Sequence, residues 1–255
     1  MTRIIALLLS VLLMLSQANG EDILLLGVRR SGTQWTTYIL QALTNRTIDL
    51  GNIETVYAPF KHTVQPELPR IYRKHWKTYG KRVISDNGKN KLILLIRNYR
   101  EAYLRQYHDR ASLALVDLGS QAKNTTEFFD NIHIFESWKD KNRLLIYYED
   151  LMLNPREEIT KISRFLNVPE PKLNAFLRNL NKHVLTCFSI KNGRFNFQTP
   201  SKGKQNILYH SQKISSDMNF KIDNVIRQYQ PDIWEKYLKR YEWTNSEKKT
   251  VKQQQ

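Results

Sequence analysis

One cysteine, Cys187, stands in 255 residues. It excludes an internal disulfide and any metal site built on cysteine. The six histidines, at 62, 75, 108, 133, 183 and 210, include no pair at H-x-x-x-H or H-E-x-x-H spacing, so no metal-enzyme signature is present. Acid is also scarce: 24 Asp and Glu face 40 Lys and Arg, for a net charge of +16. Such a field attracts polyanions, whether nucleotide, nucleic acid, acidic or sulfated glycan, or membrane surface, without choosing among them. No nucleic-acid reading module accompanies the charge, so no nucleic-acid partner is expected.

Long apolar runs are missing too. Ile4 to Leu15, broken by Ser10, is too short for a comfortable membrane span. With Arg3 before it and Ala18 and Gly20 after it, residues 1–20 read as a secretory signal peptide cleaved after Gly20. That places the protein in the secretory pathway. The rival readings are a membrane anchor at the N-terminus and a cytoplasmic chain starting at Met14. The lack of disulfides suits the latter. Two glycosylation sequons, Asn45-Arg46-Thr47 and Asn124-Thr125-Thr126, have meaning only in a eukaryotic secretory route. Residues 21–243 form one domain, which the 41% hydrophobic content is sufficient to fill, and 244–255 form a polar tail.

What the chain does have is a strand–loop–helix pattern around Leu24-Leu25-Leu26-Gly27-Val28-Arg29-Arg30-Ser31-Gly32-Thr33-Gln34-Trp35. An apolar run ends at Gly27, a small-residue loop follows, and a helix begins near Trp35. A helix N-terminus behind such a loop attracts anions through its backbone N–H groups and its dipole. Gly27 and Gly32 keep the G-x-x-x-x-G spacing of a nucleotide P-loop, but Thr33 replaces the lysine that normally follows. The cation lies inside the loop at Arg30. This points to an anion bound without a metal.

Further strands are expected at Lys91–Ile96 and Arg143–Tyr148, and a brief one over 83–88. Ile71–Tyr79 reads as a short basic helix, and Glu54 falls in a short element near 53–57. Asn98 caps a helix running to about Val116, with Glu101 completing a capping box. Further helices are expected over 125–139, after Pro155, over 173–180 and over 222–241, with a long polar loop from Thr186 to Ser216. Alternating strands and helices give an α/β fold with a mostly parallel sheet. Its strands at Gly27 and Ile96 run into Arg29, Arg30 and Arg97 on one carboxyl edge, where ligands bind in such sheets.

The segment Arg30-Ser31-Gly32-Thr33-Gln34-Trp35 resembles the 5′-phosphosulfate loop of sulfotransferases, K/R-S-G-T-T-W. Leu94-Leu95-Ile96-Arg97-Asn98 resembles that family's 3′-phosphate element, with Arg105 where serine is usual. Tyr148-Glu149-Asp150-Leu151 with Pro155 and Phe165-Leu166 is similar to the Y-E-D-L…P…FL segment, read as structural. Ser201-Lys202-Gly203-Lys204 is similar to the R-K-G loop, with serine in place of arginine.

The resemblance covers roughly residues 23–243 and implies a three-layer α/β sandwich, P-loop NTPase-like, with 3′-phosphoadenosine 5′-phosphosulfate as donor and no metal. The donor site it implies comprises Arg29, Arg30, Ser31, Gly32, Thr33, Gln34, Trp35, Arg97, Arg105, Lys202, Gly203 and Lys204. Arg30 takes the catalytic cation position. Two residues compete for the general base: His62, in a segment similar to K-T-H, and Glu54, where Golgi-type members tend to have glutamate. The implied acceptor is a hydroxyl or amine on a glycan, a peptide or a small compound. A nucleotide kinase and a non-catalytic polyanion binder are the competing readings.

Overall fold

The computed structural model describes residues 21–27, 30–50, 54–55, 60–65, 68–74, 90–189 and 211–243. Among them, six strands form one sheet: β1 Ile23–Gly27, β2 Ile48–Asp49, β3 Glu54–Thr55, β4 Ile71–Lys74, β5 Lys91–Ile96 and β6 Arg143–Tyr147. Their order across the sheet is β3-β2-β4-β1-β5-β6. All neighbours are parallel except β2 and β3. Ile23 is level with Ile71 on one side and Lys91 on the other, so β1 and β5 end together on one edge.

The strand period of two divides the core into two layers. Leu24, Leu26, Leu92, Leu94 and Ile96 face one layer. Ile23, Leu25, Ile93, Leu95 and Ile146 face the other. The second layer is built by α1 (Thr33–Thr44), α5 (Tyr148–Leu153), α6 (Pro155–Phe165), α7 (Glu170–Arg178) and α8 (Leu180–Ser189). The first is built by α2 (Tyr99–Gln106), α3 (Ala111–Asn124), α4 (Phe128–Ser137) and α9 (Ser216–Tyr229), with the aromatic turn 231–241. Phe128, Phe129, Ile132, Phe135 and Trp138 are all buried along one face of α4 and just beyond it. Each such side chain contributes about 1.5–3 kcal/mol of burial. This is the expected three-layer α/β fold with a mostly parallel sheet.

Three local expectations change. Ile71–Lys74 is a strand, because Ile71 is buried and the segment completes ladders to both β1 and β2. Pairing on both sides outweighs the helical reading of its basic residues. The helix after Asn98 stops at Gln106, where His108 and Asp109 take left-handed φ of 51° and 64°, and α3 starts afresh at Ala111. Thr186 belongs to α8, so the polar stretch begins after that helix. The strand expected over 83–88, the leader at 1–20 and the tail at 244–255 lie outside the described residues. Among the described residues, no helix is long and apolar enough to cross a membrane.

Candidate active site

The loop after β1 is shaped by its small residues. A Cβ on Gly27 would stand 2.9 Å from Ser31 Oγ and 3.2 Å from the Leu95 carbonyl. Gly32 caps α1 with φ +89°, in the left-handed region, and a Cβ there would collide with the Tyr148 ring. Glycine is therefore required at position 32 on two separate grounds. Arg30 is exposed, with φ of 66°, while Ser31 is fully buried. The first turn of α1, carrying Thr33, Gln34 and Trp35, has no acidic residue to occupy its positive end. Thr36 N–H already closes on the Gly32 carbonyl at 3.2 Å, so the helix starts directly behind the loop.

Arg97, at the end of β5, is only 3% exposed. Its Nη1 donates to the Arg30 carbonyl at 2.7 Å, and its guanidinium carbon lies 4.4 Å from the centre of the Tyr148 ring. It makes no ion pair, and its Nε is buried without a hydrogen-bond partner among the described residues. Arg105 follows two turns along α2. Burial pushes its guanidinium below the ordinary value, and the charges of Arg97 and Arg30 push the same way, against Tyr148 and Glu101. Arg97 and Arg30 thus both lie close enough to act on the Arg105 guanidinium. A buried cation without a carboxylate, beside two more cations and a helix start, suits a phosphate or phosphosulfate group.

The Arg97-Asn98 turn is fixed from behind. Asn98 Oδ1 accepts from Arg100 N–H at 3.1 Å, as the expected cap. The Asn98 N–H donates to Glu149 Oε1 at 3.0 Å, and Tyr241 OH donates to Glu149 Oε2 at 2.6 Å. Glu149 therefore fills the place that the capping box reserved for Glu101. This is the internal hydrogen-bonding role expected for Glu149; Asp150 instead accepts from Arg240 at the surface.

Tyr148 is the residue that sequence reasoning left as structural. It begins α5 directly after β6, and its ring touches both Gly32 and Arg97. The signal was available: β6 is a third parallel strand, and the rule that ligands gather at strand carboxyl ends applies to it as well. A second group lies on α1 and α8, joining the expected site residue Trp35 to Tyr38 and His183, which the sequence did not single out. Trp35 and Tyr38 stack with ring centres 5.7 Å apart, and Tyr38 OH lies 3.1 Å from His183 Nδ1. Burial, followed by Cys187, raises the Tyr38 hydroxyl to about 12.

The two base candidates are placed differently. Glu54 lies on edge strand β3, three strands from β1, or about 14 Å across the sheet at ordinary strand spacing. His62 is exposed on the turn that follows Phe60. The Phe60 ring packs 4.9 Å from Tyr38, on the second turn of α1. Arg29, Lys202, Gly203 and Lys204 lie outside the described residues. Among the described residues, no group of three or more His, Cys, Asp or Glu is placed to hold a metal ion.

The sheet and its strand ends define an α/β protein with a P-loop-like fold. The chain belongs to the sulfotransferase family: the model of the sulfotransferase domain matches residues 20–240. It is 30% identical over 189 residues to sulfotransferase 2A1 of Macaca fascicularis, covering 63% of this chain and 65% of that protein. It is 26% identical over 186 residues to the amine sulfotransferase of Oryctolagus cuniculus, covering 64% and 62%. The chain thus spans less than two thirds of the length of these relatives. A crystal structure of mouse sulfotransferase SULT7A1 complexed with PAP superposes with a TM-score of 0.60 at 16% identity, covering 89% of this chain and 91% of that one, a likeness of fold.

Proposed function

We propose that this protein transfers a sulfuryl group from 3′-phosphoadenosine 5′-phosphosulfate to a hydroxyl or amine. The observation that carries this reading is buried Arg97, without a carboxylate partner among the described residues, set beside Arg30, Arg105 and the glycine-shaped loop. The loop and the start of α1 receive the phosphosulfate; Arg97, with Arg105 and the Lys202–Lys204 stretch, receives the second phosphate. Tyr148 holds Gly32 and Arg97 together.

In the reaction, the acceptor oxygen or nitrogen forms a bond to sulfur while the bond from sulfur to the bridging phosphate oxygen breaks. The nucleotide leaves as 3′-phosphoadenosine 5′-phosphate, and the acceptor proton passes to a base. Arg30 stays protonated and stabilises the leaving oxygen as a fixed charge. The chemistry is positioning and charge stabilisation throughout, as in phosphoryl transfer. His62 is assigned as the base ahead of Glu54, supported by the packing of its turn on α1. Full turnover in His62→Ala with an inactive Glu54→Gln will reverse that order.

The acceptor class is a glycan, peptide or small hydroxyl or amine compound, and a leader over residues 1–20 delivers the protein to the secretory pathway. Transfer of labelled sulfate from the donor to an acceptor panel, in the presence of a metal chelator, tests the activity, and N-terminal sequencing of the mature chain tests the leader. Turnover that requires ATP and Mg²⁺ will favour a nucleotide kinase instead.

A further inference from the structure

Arg97 leaves the end of β5 on a long side chain, and two consecutive residues of α5 hold it at opposite ends. At its head, the Tyr148 ring centre lies 4.4 Å from the guanidinium carbon. At its base, Glu149 Oε1 accepts from the Asn98 N–H at 3.0 Å. That N–H belongs to the planar peptide unit joining Arg97 to Asn98, so fixing it fixes the direction in which the Arg97 side chain sets out. Asn98 is buried and not helical, with φ −45° and ψ 112°, and its N–H has no partner within α2. Glu149 is held in turn. It is buried, and its Oε2 accepts from the equally buried Tyr241 OH at 2.6 Å. Burial, and then the Glu149 charge, push that hydroxyl above its ordinary pKa, so it stays protonated and keeps donating at neutral pH. Tyr241 is fixed by Arg100, which donates to its carbonyl, and by the Tyr99 ring, edge-on at 6.3 Å. Charge-assisted hydrogen bonds on both oxygens leave the Glu149 carboxylate one orientation. Tyr241, Glu149 and the Asn98 N–H thus form one line of contacts from the aromatic turn to the base of Arg97.

We infer that Glu149 is a positioning residue for donor binding, an inference resting on the sulfotransferase reading: braced by Tyr241, it fixes the base of Arg97 so that the guanidinium is already aimed when the donor arrives. It acts through the Asn98 N–H and touches no reacting atom. Ordering a long side chain on binding costs affinity, and holding it beforehand removes that cost.

The test is calorimetric titration of the full chain with 3′-phosphoadenosine 5′-phosphate, with steady-state kinetics and melting temperatures for each variant. Tyr241→Phe, which removes only the bracing hydroxyl, raises the Kd and the donor KM about 2- to 10-fold and leaves kcat at saturating donor within about twofold. Glu149→Gln keeps an oxygen for the Asn98 N–H and an amide for Tyr241, and stays near wild type. Glu149→Ala loses both contacts and matches or exceeds Tyr241→Phe. Should Glu149→Ala fail to fold, the other two variants carry the comparison. In Tyr148→Leu, where the head of Arg97 is already released, Tyr241→Phe weakens binding by a smaller factor than in the wild-type background, the coupling that separates positioning from a purely structural role. A lowered melting temperature with unchanged Kd, or an equal Tyr241→Phe effect in both backgrounds, overturns the inference. A wild-type chain that does not bind the nucleotide overturns the donor reading itself.

Discussion

Arg97 and Arg100 lie three residues apart and are buried alike, at 3% and 2% exposure, yet their electrostatic settings are opposite. Arg100 is neutralised. It pairs with Asp223, and it donates to Tyr99 OH at 2.9 Å and to the Tyr241 carbonyl. Asp223 also accepts from Tyr99 OH at 2.6 Å and from Trp243 N–H at 2.8 Å, so one ion pair fastens the end of the domain to α2. Among the described residues, Arg97 has a carbonyl, an aromatic face and two neighbouring arginines, but no acid. The Nε of each is buried without a hydrogen-bond partner among the described residues, so the contrast lies in the carboxylate. A buried charge without its counter-ion is costly to the free protein. Under the proposed function, that difference is what assigns Arg97, and not Arg100, to the donor.

Variants on the two sides of this contrast will fail in different ways. Asp223→Ala strands Arg100 and removes an acceptor shared by three donors; denaturant unfolding will show a loss of about 3–5 kcal/mol, the largest expected effect on stability. Gly32→Ala forces a side chain into a left-handed position against Tyr148. It will cost about 1–3 kcal/mol in loop strain, read as a loss of donor affinity of about 5- to 150-fold. Tyr148→Leu removes the ring from the Arg97 guanidinium, a contact worth about 0.5–2 kcal/mol. Donor KM will rise about 2- to 30-fold while the melting temperature changes little. Arg240→Ala breaks the exposed pair with Asp150 and will cost under about 1 kcal/mol. A donor effect from Asp223→Ala larger than that from Tyr148→Leu, in folded protein, will erase the distinction between the two arginines.

Much of this was legible in sequence because it is local. Gly27 to Trp35 announces a loop and a helix start, and Lys91–Ile96 runs as a strand straight into Arg97. The apolar period of α4 likewise fixes its buried face. What escaped depends on partners distant in the chain. Ile71–Lys74 becomes a strand only because β1 and β2 flank it. Asn98 capped its helix as expected, yet the second half of the box came from Glu149, about fifty residues on, while Glu101 turned to Ser211. Tyr148 looked like the first residue of a packing motif, and only the sheet order brings its ring against Gly32. The helix break after Gln106 carries no glycine to announce it, since His108 and Asp109 take the left-handed turns themselves.

Arg97→Met offers the most direct test of the claim that this arginine is reserved for the donor. The substitution replaces a buried, acid-free cation with an apolar side chain of similar length, and such exchanges are often neutral or stabilising. Titration with 3′-phosphoadenosine 5′-phosphate, beside a melting curve on the same sample, reads both consequences. The account predicts an unchanged or raised melting temperature together with binding weakened about 30-fold or more, the loss expected for a buried charge contact. Unweakened binding, or a destabilisation like that of Asp223→Ala, will contradict it.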